Sequence, residues 1–372
     1  MSAVGQDTQA PGSPRPQPTA GGQAAARAVT RSRRSALWPG LAAIVAVGIL
    51  AYLPYIVYSD TTNLLVQFFQ LLIMASMWNL LAGYAGLVSV GQQAFIGLGA
   101  YFVVLLANQG ISPFTAIPLA AIMAGVIGLP VWWLVSRLRS GYFAITMWVI
   151  ASVCMLVITQ ISSLGSGTGI ALSGLTEGPT QLSADTYWAT LVVTVVLIAG
   201  IYGLLRSRIG LVLTAIRDDE TGARSIGGRV GSVQRLVFLV AALGCGAAGA
   251  LYAITQQFIV PSAAFDVSFT AEMIFITIIG GIGTIEGPII GTVVFFVLQQ
   301  TLSADGTWYW IILGLIAIAV AIWAPRGIWG LVSDRLGIRL FPVGYYVWPE
   351  GERPRRPMTR WTGARLARSR NG

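Results

Sequence analysis

A chain of 372 residues that is 55% hydrophobic and 10% charged, with a mean hydropathy of +0.73, is too apolar for a soluble domain of its size. Its 23 basic residues are all Arg and it has no His, which excludes an imidazole base, a His-ligated metal, a Schiff-base Lys and the Lys of a P-loop. The net charge of +9 flanks apolar runs and crowds the C-terminal tail instead of forming a basic patch, so no nucleic-acid partner is expected.

In chain order, residues 1–35 are rich in Pro, Gly, Ala and Arg and are expected to be a disordered, Arg-rich N-terminus. The apolar segment at 36–58 is too long for a signal-peptide core and lacks an A-x-A site, so it reads as a retained anchor. Further spans are expected at 61–82, 87–107, 114–136, 142–161, 187–205, 236–257, 269–282, 288–302 and 308–324, about ten in all. The alternating strands of a β-barrel are missing. The fold class is therefore an all-α polytopic membrane protein, with a transmembrane domain over 36–325 and an Arg-rich tail over 326–372. Cys154 and Cys245 fall inside apolar segments and read as small buried hydrophobes.

The Arg residues set the topology. With a cytoplasmic N-terminus, all 23 fall in the segments 1–35, 137–141, 206–235 and 325–372, and none falls in an outer loop. The outer loops instead carry the acids Asp60, Glu177, Asp185, Asp266 and Asp305. Both termini are then cytoplasmic. The two spans near 269–302 are short and broken by Gly280, Gly281, Gly283 and Gly287-Pro288, which suits either two short helices or a re-entrant pair.

Four stretches stand out as carriers of function. GYAGLVSVGQQAFIGLGAY, from Gly83 to Tyr101, sets Gly83, Gly86, Ser89, Gln92, Gln93 and Phe95 at or within an apolar span. It reads either as a broken helix lining a translocation path or as close helix packing. TAEMIFITIIGGIGTIEGP, from Thr270 to Pro288, contributes Glu272, Gly280, Gly281 and Gly283 to the same candidate path. An acid at bilayer depth costs ~2.5–3.5 kcal/mol and so faces protein, water or the interface. Glu286 falls in a cytoplasmic turn, where solvation is cheap. The outer loop from Ser162 to Asp185 is Gly/Ser/Thr-rich and serves as a partner surface, a gate or a linker.

The fourth stretch, AIRDDETGARSIGG at 215–228, lies in the long internal loop 206–235. Asp218 or Asp219 is placed to cap a short helix, Glu220 and Arg224 are spaced to pair, and Gly227-Gly228 is placed to end it. Gly222, Ala223 and Ile226 then share a small apolar face that needs something to cover it.

Taken in order, these stretches resemble the LivM-type permease subunit of branched-chain amino acid ABC importers, a group that includes urea and amide permeases. GYFAIT at 141–146, SRIGLVLTAIRDDETGARSIG at 207–227, AALGCGAAGALYA at 241–253 and IIGGIGTIEGPIIG at 278–291 carry the resemblance together with Gly83–Tyr101. The resemblance implies a fold of about ten helices close to the sugar and vitamin B12 importers. It implies that the loop docks on an ATPase through Arg217, Asp218, Asp219, Glu220, Ala223, Arg224, Ile226 and Gly227. It further implies a homologous second permease, two ATPase subunits that hold ATP and Mg, and an extracytoplasmic substrate-binding protein. This chain would bind no cofactor of its own, catalyse no reaction, and sit in the bacterial cytoplasmic membrane among lipid. Many relatives carry Gly-His-Ala-Ala-Phe where this chain has Gly91-Gln92-Gln93-Ala94-Phe95, which leaves the solute open between branched-chain amino acids and urea- or amide-like molecules. An ion-coupled secondary transporter would need a membrane relay of ionisable groups, for which Glu272 stands almost alone.

Overall fold

A computed structural model describes residues 28–30, 47–55, 59–138, 140–175, 178–225, 229–302, 307–324, 326–336 and 346–348. The main helices are α1 (Ser59–Asn79), α2 (Gln93–Asn108), α3 (Pro113–Val135), α4 (Ser140–Gln160) and α5 (Pro179–Arg206). They continue as α6 (Arg208–Asp218), α7 (Glu220–Ser225), α8 (Val230–Gln256), the single turn α9 (Pro261–Ala264), α10 (Ser268–Gly280), α11 (Glu286–Leu302), α12 (Thr307–Trp323) and α13 (Gly327–Leu336). Among the described residues seven helical segments are long and apolar enough to cross a membrane, and α2 and α11 are shorter apolar helices. These nine match the nine expected spans after residue 60. Most of the expected anchor at 36–58 lies outside the described residues, with 47–52 helical.

Several boundaries differ from the sequence reading. α5 begins at Pro179, eight residues before the expected span at 187, because Gly178 is extended and Pro179 suits the first helical position. Asp185 therefore lies on a helix and not in a loop. α8 begins at Val230, ahead of the expected 236. Residues 28–30, expected to be disordered, form β1 (Ala28–Thr30), which pairs antiparallel with β4 (Tyr346–Trp348) with Val29 opposite Val347. The rest of the 1–35 segment and most of the tail after 336 lie outside the described residues.

Burial runs inside out, as lipid solvation requires. α1 and α8 are buried nearly all round, whereas Trp133 on α3, Tyr142, Ile145 and Trp148 on α4, and Trp323 on α12 are exposed. α8 is central and packs on α1, α2 and α3. Its small-residue run lets backbone meet backbone. A Cβ on Gly99 of α2 would run into the Gly246 carbonyl, and one on Gly249 into the Ile96 carbonyl. Without hydrophobic drive between helices in lipid, such close approach is what holds them. Gln70 on α1 adds a hydrogen bond to Thr255 on α8 at 2.9 Å.

The connecting segments gather at two ends. At one end β2 (Ile170–Ala171) pairs with β3 (Phe258–Ile259), Leu172 N–H donates to Gln257 O at 2.7 Å, and Ser173 Oγ donates to Asn108 Oδ1 at 3.0 Å. These are segments without Arg, and the loop from Ser162 is thus partly built into a small sheet. At the other end meet residues from 79–85, 217, 234 and 283–284.

Candidate functional site

α1 does not run smoothly into α2. After Asn79 the helix widens into a π turn, Leu80–Tyr84, and then opens into non-helical backbone before α2 starts at Gln93. π turns hold one residue more per hydrogen-bonded ring than α and recur at sites of function. Gly86 adopts φ +70, a left-handed conformation that suits glycine, and its position is exposed. Backbone that leaves a helix inside a membrane protein needs internal partners. Leu87 N–H returns to Leu81 O at 3.1 Å, Gln234 Nε2 donates to Ala85 O at 3.1 Å, and Trp78 Nε1 donates to Ser89 O at 2.8 Å. Ser89 is itself buried, and its hydroxyl accepts from Gly91 N–H at 3.3 Å.

The two glutamines that follow differ sharply. Gln93 Oε1 accepts a hydrogen bond from the Thr270 hydroxyl on α10, joining the interrupted segment to the second candidate stretch. Gln92 is 0% exposed, yet neither its Nε2 nor its Oε1 has a hydrogen-bond partner among the described residues. A buried amide without a partner costs about 1–3 kcal/mol. Phe95 points instead into an aromatic cluster, with its ring 5.6 Å from Phe238, which also meets Trp132 at 5.4 Å. Its role here is packing.

Gly280, Gly281 and Gly283 shape the turn between α10 and α11. A Cβ on Gly280 would run into Gly287 O, and Gly281 and Gly283 take φ +128 and +76. The stretch is therefore two helices joined by a tight turn over 281–285, with α10 and α11 packed together. At 13 residues α10 is ~20 Å long, short of a hydrocarbon core unless α9 extends it. Glu272 on α10 is half-buried. Glu286 departs from expectation: it is 6% exposed and buried, not solvated in a turn, because it begins α11 where the helix dipole favours an anion and where α11 folds back on α10.

The charged loop 206–235 forms two helices and not one. Ser207 Oγ caps α6 by accepting from Ile209 N–H at 3.2 Å. Asp219, extended at φ −160, separates α6 from α7 and caps α7 by accepting from Thr221 N–H at 2.9 Å. Glu220 and Arg224 form the expected i,i+4 pair at 2.7 Å. Arg217 Nε reaches Asp218 Oδ1 at 3.3 Å. Ala223, expected on an apolar face awaiting cover, is 3% exposed and belongs to the chain's own core, because α7 packs back on α6 and α8. The exposed residues from α6 to α7 are Arg208, Leu211, Arg217, Asp218, Asp219, Glu220, Thr221, Arg224 and Ser225. Ile226, Gly227 and Gly228 lie outside the described residues.

Asn79 and Gln234 were missed from sequence. Asn79 Oδ1 accepts from Gly283 N–H at 2.8 Å and its Nδ2 donates to Thr284 O at 2.7 Å. An amide in the last turn of an apolar span was the available signal.

A known family description matches this arrangement over residues 61–321: branched-chain amino acid transport system / permease component. The chain belongs to this family. Its curated relatives include the high-affinity branched-chain amino acid transport system permease protein LivM of Escherichia coli, 25% identical over 325 residues that cover 80% of this chain and 76% of that protein. The inner membrane ABC transporter permease protein YjfF of Escherichia coli is 25% identical over 251 residues, 64% of this chain and 74% of that protein. The autoinducer 2 import system permease protein LsrC of Photorhabdus laumondii is 24% identical over 311 residues, 77% of this chain and 88% of that protein. No solved structure matches the chain. Family membership and the apolar helices together make the chain a multi-pass protein of the bacterial inner membrane. It is a transporter permease subunit, not an enzyme, and part of an ABC system with other subunits.

Proposed function

We propose that this permease carries branched-chain amino acids, or a related small polar solute, inward by alternating access. It works beside a homologous second permease, takes solute from an extracytoplasmic binding protein, and is driven by two ATPase subunits that hold ATP and Mg. The loop 206–235 faces the cytoplasm, as do both termini, because every Arg then lies inside. The observation that carries the reading is the α6–α7 loop: a capped, ion-paired pair of short helices whose outward face is charged and whose inward face is already covered by the chain. Such a face is built to meet another protein. It meets the ATPase with Leu211 and the charges at 217–220 and 224.

Exchanging the two charges, Glu220→Arg with Arg224→Glu, tests this. The pair within α7 persists, slightly weakened by the reversed polarity, while the pattern shown to a partner inverts. The expected outcome is normal accumulation of the permease with loss of ATPase co-purification and of labelled leucine uptake into proteoliposomes. Undiminished assembly and uptake in the exchanged variant would overturn the docking role. Competition of that uptake by isoleucine, valine or urea assigns the solute class.

A further inference from the structure

The loop and the interrupted helix are far apart in sequence, but one turn touches both. Arg217, at the C-terminal end of α6, donates through Nη1 to Gly283 O at 3.3 Å. The next peptide group of that turn and the N–H of Gly283 are both held by Asn79, a residue only 3% exposed. Gly283 leaves no slack at the junction. A Cβ there would sit 3.1 Å from Gly83 O and 3.3 Å from Arg217 Cδ, and a Cβ on Gly83 would sit 2.6 Å from Gly283 N. Asn79 is also the last α-helical residue before the π turn. Its side chain therefore grips the 281–285 turn at the point where α1 changes its winding, ahead of the backbone that leads to Gln92.

We propose that Arg217, the 281–285 turn and Asn79 form a polar linkage through which movement of the α6–α7 loop shifts the π turn and the interrupted segment 80–92. Asn79 and Arg217 are positioning residues that touch no solute. The carboxamide suits this role because it holds one donor and one acceptor of the turn at once, so the turn cannot slide without breaking both bonds. In the protein interior the bonds of such a network strengthen one another. The inference rests on the importer reading only for what moves the loop. The linkage itself belongs to this chain.

The experiment uses the full-length permease in lipid nanodiscs and follows amide hydrogen exchange over 80–92 and 281–285. Arg217→Ala is expected to raise exchange roughly tenfold in both segments. In an Asn79→Ala background the same substitution is expected to leave 80–92 without further change, because the linkage is already cut. Faster exchange confined to the loop and the turn, or an undiminished effect of Arg217→Ala in the Asn79→Ala background, overturns the proposal. The single Arg217→Ala variant, on a half-exposed side chain, decides the matter alone if Asn79→Ala does not accumulate. In the assembled transporter, Asn79→Ala is expected to keep ATP hydrolysis while solute taken up per ATP falls about tenfold. A purely structural role would lower assembly, hydrolysis and uptake together, with their ratio unchanged. If the wild-type complex takes up no solute, the importer reading fails, and the exchange result still stands or falls by itself.

Discussion

Replacing Gln92 with Met should make the protein more stable. Its amide is fully enclosed and neither polar atom has a partner among the described residues, while its neighbour Gln93 accepts from Thr270. Removing an orphaned amide recovers about 1–3 kcal/mol of desolvation cost. Met is close to Gln in volume and flexible enough to refill the space, so the repacking cost stays under about 1.5 kcal/mol. The net gain is on the order of 1 kcal/mol, about a fivefold shift in the folded-to-unfolded ratio. Gln93→Met is the matched control with the opposite sign. It strands the Thr270 hydroxyl without its acceptor and should cost about 1–3 kcal/mol. Unfolding in mixed detergent micelles, followed by the fluorescence of the 12 Trp residues, measures both variants. If the two variants move the midpoint in the same direction, or if Gln92→Met lowers it, the assignment of Gln92 as an unsatisfied buried group is wrong. Solute uptake by Gln92→Met should fall despite the gain in stability, since a buried amide kept at a cost in one conformation finds its use in another.

Three further outcomes follow from local geometry. Gly99→Val places a side chain against the Gly246 carbonyl, so the folded permease should fail to accumulate in membranes, as quantitative immunoblotting would show. Ala223→Asp buries a charge in the chain's own core, which should cost upwards of about 3 kcal/mol and lower the thermal midpoint of the isolated permease with no ATPase present. An unchanged midpoint would return Ala223 to the outer face. Asp219→Ala removes the cap of α7 at a cost of about 1 kcal/mol, read as several-fold faster amide exchange over 220–225, and Asp219→Asn should restore most of the protection.

What could be read from the amino-acid order divides along physical lines. Apolar length marked the spans, because 20 apolar residues have few other uses. Local chemistry marked Asp218 or Asp219 as the cap and paired Glu220 with Arg224, since each depends on neighbours within a few positions, whereas the span expected from 87 starts only at Gln93. Rotation of a helix about its axis leaves no comparable trace in so apolar a chain. Ala223 therefore looked uncovered and Glu286 looked solvated, although both are buried. The bonds from Asn79 to the 281–285 turn and from Gln234 to Ala85 join partners 204, 205 and 149 positions apart. Only the packed helices bring such partners together. Gly280, Gly281 and Gly283 mark the break between two short spans in the sequence, and in the structure they form the turn between α10 and α11.

The backbone contacts at Gly99 and Gly249 bear on how such a molecule can move at all. With carbonyls seated where side chains would be, α2 and α8 can neither roll nor slide past each other without collision. The two are held as one packed unit, and α3 packs on both. α10 and α11 lie against α1, which packs on α8 in turn. The non-helical backbone at 86–92 is the covalent connection from α1 to α2. A change in the stiffness of this connection is expected to alter the speed of transport more than its direction, which uptake kinetics would measure.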